Sequence, residues 1–415
     1  MTRPALRPFS DLLGSPRPAA KLRVCIVGGG GTGAALAYDL AQRGVEVVLL
    51  EKGELTSGTT GRHHGQLHCG ARYALADSSI ARECMIESRL LCSLVPEAME
   101  YNGGIFAALD EDDEALAPDF IEACLDSGIP AKALPVSKAL DLEPGLNPAI
   151  RAAVWVPDGS FDAFRVPLAF FAAARALGAR IHAWNEVVGF ERSGNRVIAA
   201  RVLDRSVQPA AERRIAADYF VSATGAWAGI VGRLAGVAVD VTPAPGTMVA
   251  LRGRMTDRVL SHLHPAGDGD IVVPQRGLII VGTTERVTED PESLLPPAED
   301  IAFLRSRAAA LVPAAASAEI HAAWCAARPL AGRAGNLDSG RSLSRDFVVV
   351  DHAERDGLGG LCTLVGGKAT VLRAMAEKAA DLVCRELGVE ASCRSADFAL
   401  PSWRDYYREL PSWAQ

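Results

Sequence analysis

The clearest alternation of apolar and polar positions lies at residues 22–51, LRVCIVGGGGTGAALAYDLAQRGVEVVLLE. The mostly apolar run 22–27 predicts a strand buried on both faces. From Gly33 onward, Ala37, Leu40, Ala41 and Gly44 share one helical face, and 45–50 predict a second buried strand ending at Glu51. Between the first strand and the helix, Gly28, Gly30 and Gly33 form G-x-G-x-x-G. The first glycine permits a tight turn, the second lets backbone approach a pyrophosphate, and the third lets the helix lie close to the strand. The helix N-terminus offers unpaired N–H groups to that anion. Glu51 suits the two hydroxyls of a ribose and would repel a 2′-phosphate. This is a dinucleotide site.

Residues 56–73, TSGTTGRHHGQLHCGARY, follow neither helical nor strand periodicity. So much Gly and Thr predicts an extended loop able to wrap a flat or anionic ligand. A helix is expected over 77–94, a strand pair near 104–109 and a solvated turn at 110–114. Pro144, Pro148 and Pro157 punctuate the return to the core, and a helix follows Phe164. Then come a strand at 181–187, two strands around Ser193-Gly194-Asn195, and a buried strand at 219–225 that rejoins the central sheet. Residues 239–284 read as an antiparallel sheet, and 298–311 as a helix. Lys368 is expected to open a last helix with an apolar stripe of Leu372, Met375, Ala376, Ala379 and Val383.

These elements predict an α/β protein: a discontinuous Rossmann-like dinucleotide domain and a substrate-binding lobe on an antiparallel sheet. The expected division is a flexible extension at 1–20, the nucleotide domain at 21–80, 150–235 and 325–395, the lobe at 81–149 and 236–324, and a tail at 396–415. The aromatic tail, with Trp403, Tyr406, Tyr407 and Trp413, suits docking on the body or on a partner.

The chain has 415 residues, 49% hydrophobic and 22% charged, ordinary for a globular protein. A net charge of −7 argues against general nucleic-acid binding. The first twenty residues lack the apolar core of a secretory signal, and no stretch approaches the ~20 apolar residues of a membrane span. Nine dispersed cysteines without a C-x-x-C pair read as reduced cytoplasmic thiols and supply no metal or iron–sulfur ligand set.

The segments GRHHGQLHCGARY, ATGAW, AARPL, GRSLSRDFVVVDHAERDG and VGGKATVLRAMAE together resemble flavin-dependent glycerol-3-phosphate dehydrogenases. The similarity is greatest to the catalytic (A-type) subunit of the anaerobic bacterial enzymes, within the D-amino-acid-oxidase-like flavoproteins. It runs from about Leu22 to Pro401. Two departures stand out: the cysteine-rich C-terminal region of those enzymes has no counterpart here, and G-G-K continues as Ala-Thr-Val-Leu-Arg.

The resemblance implies FAD as cofactor. Gly28, Gly30, Thr32, Gly33, Glu51 and Lys52 would hold it, with Thr59, Thr60, Gly65, Gln66 and Leu67 from the loop. Val187, Ala223, Thr224 and Gly225 would lie near the adenosine and pyrophosphate, and Gly366, Gly367, Lys368, Ala369 and Thr370 would complete the set. It also implies oxidation of sn-glycerol 3-phosphate by hydride transfer from C2 to flavin N5. Arg328 and Arg345, with Arg72 as a third, would grip the phosphate. Tyr73 would orient the hydroxyl, and Thr284 would line the pocket. His68 is the candidate general base. Lys368 is placed to bind substrate oxygen or offset charge on the reduced flavin, and His63 and His64 to touch or tether it. Electrons would pass to a quinone or a redox partner protein, in the cytoplasm or peripherally at the inner membrane face. The alternatives are another phosphorylated polyol, a 2-hydroxy acid such as 2-hydroxyglutarate or an amino acid as substrate, or a non-catalytic flavin-binding role in an electron-transfer complex.

Overall fold

A computed structural model describes residues 5–14, 22–265, 267–332 and 346–408. Strand Arg23–Val27 pairs in parallel with Glu46–Leu50 on one side and Tyr219–Ser222 on the other. The sheet has six strands, in the order Phe347–Asp351, Leu361–Gly366, Tyr219–Ser222, Arg23–Val27, Glu46–Leu50 and Arg180–His182. Its side chains alternate between two covers. Val24, Ile26, Val47 and Leu49 pack among helices Gly31–Gln42, Arg165–Ala176 and Leu372–Leu387. Cys25, Val27, Val48 and Leu50 face a three-stranded sheet through Val187, Val197, Ala200 and Val202. Burial on both faces is why these strands read as unbroken apolar runs.

The first helix departs from its one-sided expectation: Ala34 to Leu40 are all fully buried, because neighbouring helices enclose its outer side. The strand expected over 181–187 is two. Arg180–His182 completes the parallel sheet, the chain turns at Trp184 (φ +60°), and Asn185–Ser193 begins the three-stranded sheet. That sheet's third strand, Ala211–Ala216, went unpredicted; its charged, exposed residues carry no apolar signal. The last helix opens at Leu372, after a 3-10 turn, Ala369–Val371, so Lys368 stands before it. Asp77 caps helix Ser78–Leu94, accepting from Ser79 N–H and Ile80 N–H.

The lobe is an eight-stranded sheet, antiparallel except where Val259–His262 runs parallel to Gly104–Ala108. Ala152–Val156 and Ile320–Ala331 belong to it, whereas the expected division placed 150–235 and 325–395 in the nucleotide domain. They pair with lobe strands along their whole length, which outweighs their place in the chain. The expected solvated turn at 110–114 is a short helix, and its Asp113 is buried because it accepts from Leu109 N–H and His262.

The described part of the N-terminal extension, 5–14, is docked rather than loose. Arg7 pairs with the backbone around Phe398, and Leu12 is buried in the main core. The described tail also docks on the body, with Tyr406 packed near Phe171. Trp413 lies outside the described residues. All nine cysteines are free and all but Cys393 are buried. Among the described residues no helix is long and apolar enough to cross a membrane.

Candidate active site

Strand 23–27 meets its helix through a turn that demands glycine. A Cβ on Gly33 would lie 2.0 Å from Gly28 O, and one on Gly28, at φ +112°, 2.5 Å from Ala223 O. A Cβ on Gly30 would approach only the Thr60 side chain, at 3.0 Å. Thr60 Oγ1 accepts from Gly31 N–H at 3.0 Å. The Glu51 carboxylate accepts from Gly29 N–H at 2.7 Å and Gly53 N–H at 2.9 Å, which fixes it beside the turn.

A cavity of about 690 Å³ runs from this turn to the histidine-rich loop. Gly28, Gly30, Thr32, Glu51 and Lys52 line its outer end, where Lys52 pairs with Glu292 and lies 4.4 Å over the Trp227 ring. Thr59, Thr60, Gln66, Val187 and residues 223–225 follow, with 366–370 along the opposite wall. Gly33, Gly65 and Leu67 do not line the cavity. Gly33 is taken up by helix–strand packing, Gly65 lies against Gln275 and Phe161, and Leu67 is buried in the core.

His68, Tyr73, Arg328 and Lys368 gather at the inner end. Lys368 Nζ sits 4.8 Å over the Tyr73 ring, and the His68 ring lies 5.8 Å from it. Arg328, on strand Ile320–Ala331, donates to Thr283 Oγ1 and to Thr284 O at 3.1 Å, and pairs with Glu285 at 3.2 Å. The loop bearing His68 is pinned from beneath by buried Asp158, which accepts from Gln66 Nε2 at 2.8 Å and Cys69 N–H at 2.7 Å. Burial raises the Asp158 pKa, against these hydrogen bonds. His68 N–H donates to Thr370 Oγ1 at 3.2 Å, tying the loop to the wall opposite. Desolvation, reinforced by the positive charges of Arg72 and Lys368, lowers the His68 pKa to about 3. Its imidazole is held neutral.

Two expected substrate residues are engaged elsewhere. Arg72 does not line the cavity: its guanidinium donates to Asp270 Oδ2 at 2.6 Å and Gly267 O at 2.8 Å, because a buried carboxylate competes for it. Thr284 turns its hydroxyl to Asp300 at 2.8 Å, so only its carbonyl, through Arg328, touches the site. Arg345 lies outside the described residues.

The family model described as FAD dependent oxidoreductase matches residues 23–372. The chain belongs to the FAD-dependent oxidoreductase family. It is 40% identical, over 92% of its length and 67% of the relative's, to a subunit (A1) of the anaerobic glycerol-3-phosphate dehydrogenase of Haloferax volcanii. It is 38% identical, over 91% and 70%, to the corresponding subunit of the Escherichia coli K12 enzyme. Glycine oxidase from Geobacillus kaustophilus shares the fold, with a TM-score of 0.71 at 24% identity over 94% of this chain and all of that one.

The cofactor of this FAD-dependent oxidoreductase is therefore FAD, and the site fits it. The glycine turn leaves a backbone cradle where side chains would clash, Glu51 is fixed where a ribose needs an acceptor, and the cavity falls within the usual ~300–1,000 Å³ of ligand sites. Sequence reasoning missed Asp158, Glu285 and Asp270. Asp158 sits in a V-P-D-G stretch that reads as punctuation, and nothing local shows that it meets a loop about ninety positions earlier.

Proposed function

We propose that this oxidoreductase converts sn-glycerol 3-phosphate to dihydroxyacetone phosphate. The observation that carries the reading is the meeting of His68 with Lys368 and Arg328 in the same cavity as the glycine cradle. The names of the anaerobic glycerol-3-phosphate dehydrogenase relatives support it.

Bound FAD supplies a two-electron acceptor that takes hydride at N5. Gly28, Gly30, Glu51 and the N-terminus of helix Gly31–Gln42 would hold its pyrophosphate and ribose. Arg328 and Lys368 receive the phosphate dianion, Arg328 being pre-oriented by Glu285 and the Thr283–Thr284 oxygens. Tyr73 directs the C2 hydroxyl, and His68 accepts its proton as the carbonyl forms. A dianion beside His68 offsets the charges of Arg72 and Lys368, a part of its depressed basicity that is not due to burial. The electron acceptor would be a quinone or a redox partner protein. Several relatives are named as subunits, which supports a partner, and a peripheral place at the cytoplasmic face of a membrane suits that transfer. Anaerobic reduction of the bound flavin by sn-glycerol 3-phosphate tests this reading.

A further inference from the structure

Two histidines ahead of His68 are held in a way that dictates their protonation. His63 Nδ1 accepts from Gly65 N–H at 2.9 Å, and His64 Nδ1 accepts from Gln66 N–H at 3.1 Å. A backbone N–H can only donate, so each Nδ1 carries the lone pair and each neutral ring carries its proton on Nε2. Both rings open onto the cavity and both are kept neutral there. Desolvation brings His63 down to about 4, and desolvation with the charges of neighbouring histidines, Arg328 and Arg72 brings His64 well below its ordinary value.

Neither ring has a lone pair left with which to take a proton. His68 is different: among the described residues no hydrogen bond reaches its ring nitrogens, and only its backbone is engaged, by Thr370. His64 lies between the other two, its ring centroid 6.2 Å from that of His63 and 5.9 Å from that of His68. His63 is turned toward Phe161, 5.0 Å away, whereas His64 shares the inner end with Arg328 and His68.

We infer that His64 is a further substrate-binding residue, a neutral donor that presents Nε2–H to the anionic group of the substrate while His68 takes the proton. This rests on the proposed function for the substrate's identity. A neutral donor adds a hydrogen bond without another charge, in a site where Arg328 and Lys368 already supply cations. The Gln66 amide is the device that prevents the His64 ring from turning into a competing base.

The test combines two readouts on the FAD-loaded protein. With ¹⁵N-labelled histidine, His64 is expected to show the neutral Nε2–H pattern at pH 7 and still at pH 5. An imidazolium or an Nδ1–H pattern would overturn the assignment, whatever the substrate proves to be. Dihydroxyacetone phosphate binding, titrated through the flavin absorption band, should weaken about 10- to 100-fold in His64→Leu, the range for a hydrogen bond to a charged group. His64→Gln, whose amide reaches the Nε2 position, should recover most of that loss, and His64→Asn, whose shorter amide falls short, should not. The acid limb of the kcat/KM profile should persist in all three and vanish in His68→Asn. Equal losses in His64→Gln and His64→Asn, or loss of the acid limb in His64→Gln, would refute the role. A wild-type flavin that sn-glycerol 3-phosphate fails to reduce would instead refute the proposed function, leaving the tautomer to stand or fall on its own spectrum.

Discussion

Arg72 donates to Asp270 across 2.6 Å, joining two residues 198 positions apart, and the carboxylate side chain is fully buried. Asp270 also accepts from Gly267 N–H at 2.6 Å and His264 Nε2 at 2.7 Å, with Arg307 at 3.3 Å. His262, His264 and Asp270 bring their ligand atoms within 4.8 Å of one another, a spacing compatible with a metal ion. Two guanidinium groups already fill the surroundings, which makes the cluster a poor host for a cation. Its role is to hold Arg72 and the strand behind it.

Asp270→Asn should therefore be costly. It leaves Arg72 and Arg307 without their shared anion, and breaking a buried pair from one side costs about 3–5 kcal/mol. Urea denaturation should show a midpoint lowered to match. A midpoint equal to wild type would mean that the pair contributes nothing.

The two glycines of the nucleotide turn should fail in different ways. In Gly33→Ala the new Cβ meets the Gly28 carbonyl at 2.0 Å, a backbone atom that cannot step aside. Both thermal stability without cofactor and flavin content should fall. In Gly30→Ala the methyl meets only the Thr60 side chain, at 3.0 Å. The cofactor-free fold should melt near the wild-type temperature while FAD affinity drops at least about tenfold, the methyl standing where backbone must approach pyrophosphate. Equal melting losses in both variants would contradict this division.

The neutral histidines set a pH dependence of stability. The folded-state pKa values of His63, about 4, and His68, about 3, lie below the unfolded value of ~6.5. Between those limits the unfolded chain binds more protons, so stability rises with pH across the window and is lost as pH falls from 6.5 toward 4. Each ring that stays neutral contributes a slope of about 1.4 kcal/mol per pH unit. Denaturant midpoints at pH 7.5 and 5.0 measure it, and His63→Asn should flatten the difference by one ring's share. An unchanged pH dependence in that variant would show that His63 titrates freely.

The nucleotide-binding half was legible because local signals agreed. Apolar strands, spaced glycines, helix and terminal Glu51 each required the next, and the structure assembles them as one unit. His68, Arg328 and Lys368 were reached through their motifs, and the cavity brings them together. What escaped was set by pairing at a distance. Thr284 reads as a pocket residue until Asp300 takes its hydroxyl, and Arg72 reads as a substrate arginine until Asp270 takes its guanidinium. The pairing of Ile320–Ala331 with Val241–Arg252 is likewise a tertiary fact without a local signature.

Anaerobic stopped-flow reduction of the FAD-loaded protein measures the proposed reaction most directly. sn-Glycerol 3-phosphate is mixed against 2-hydroxyglutarate while the visible flavin band is followed. Fast, saturable bleaching by the phosphate ester and none by the hydroxy acid is the expected result. Bleaching by 2-hydroxyglutarate alone would contradict it and reassign Arg328 and Lys368 to a carboxylate.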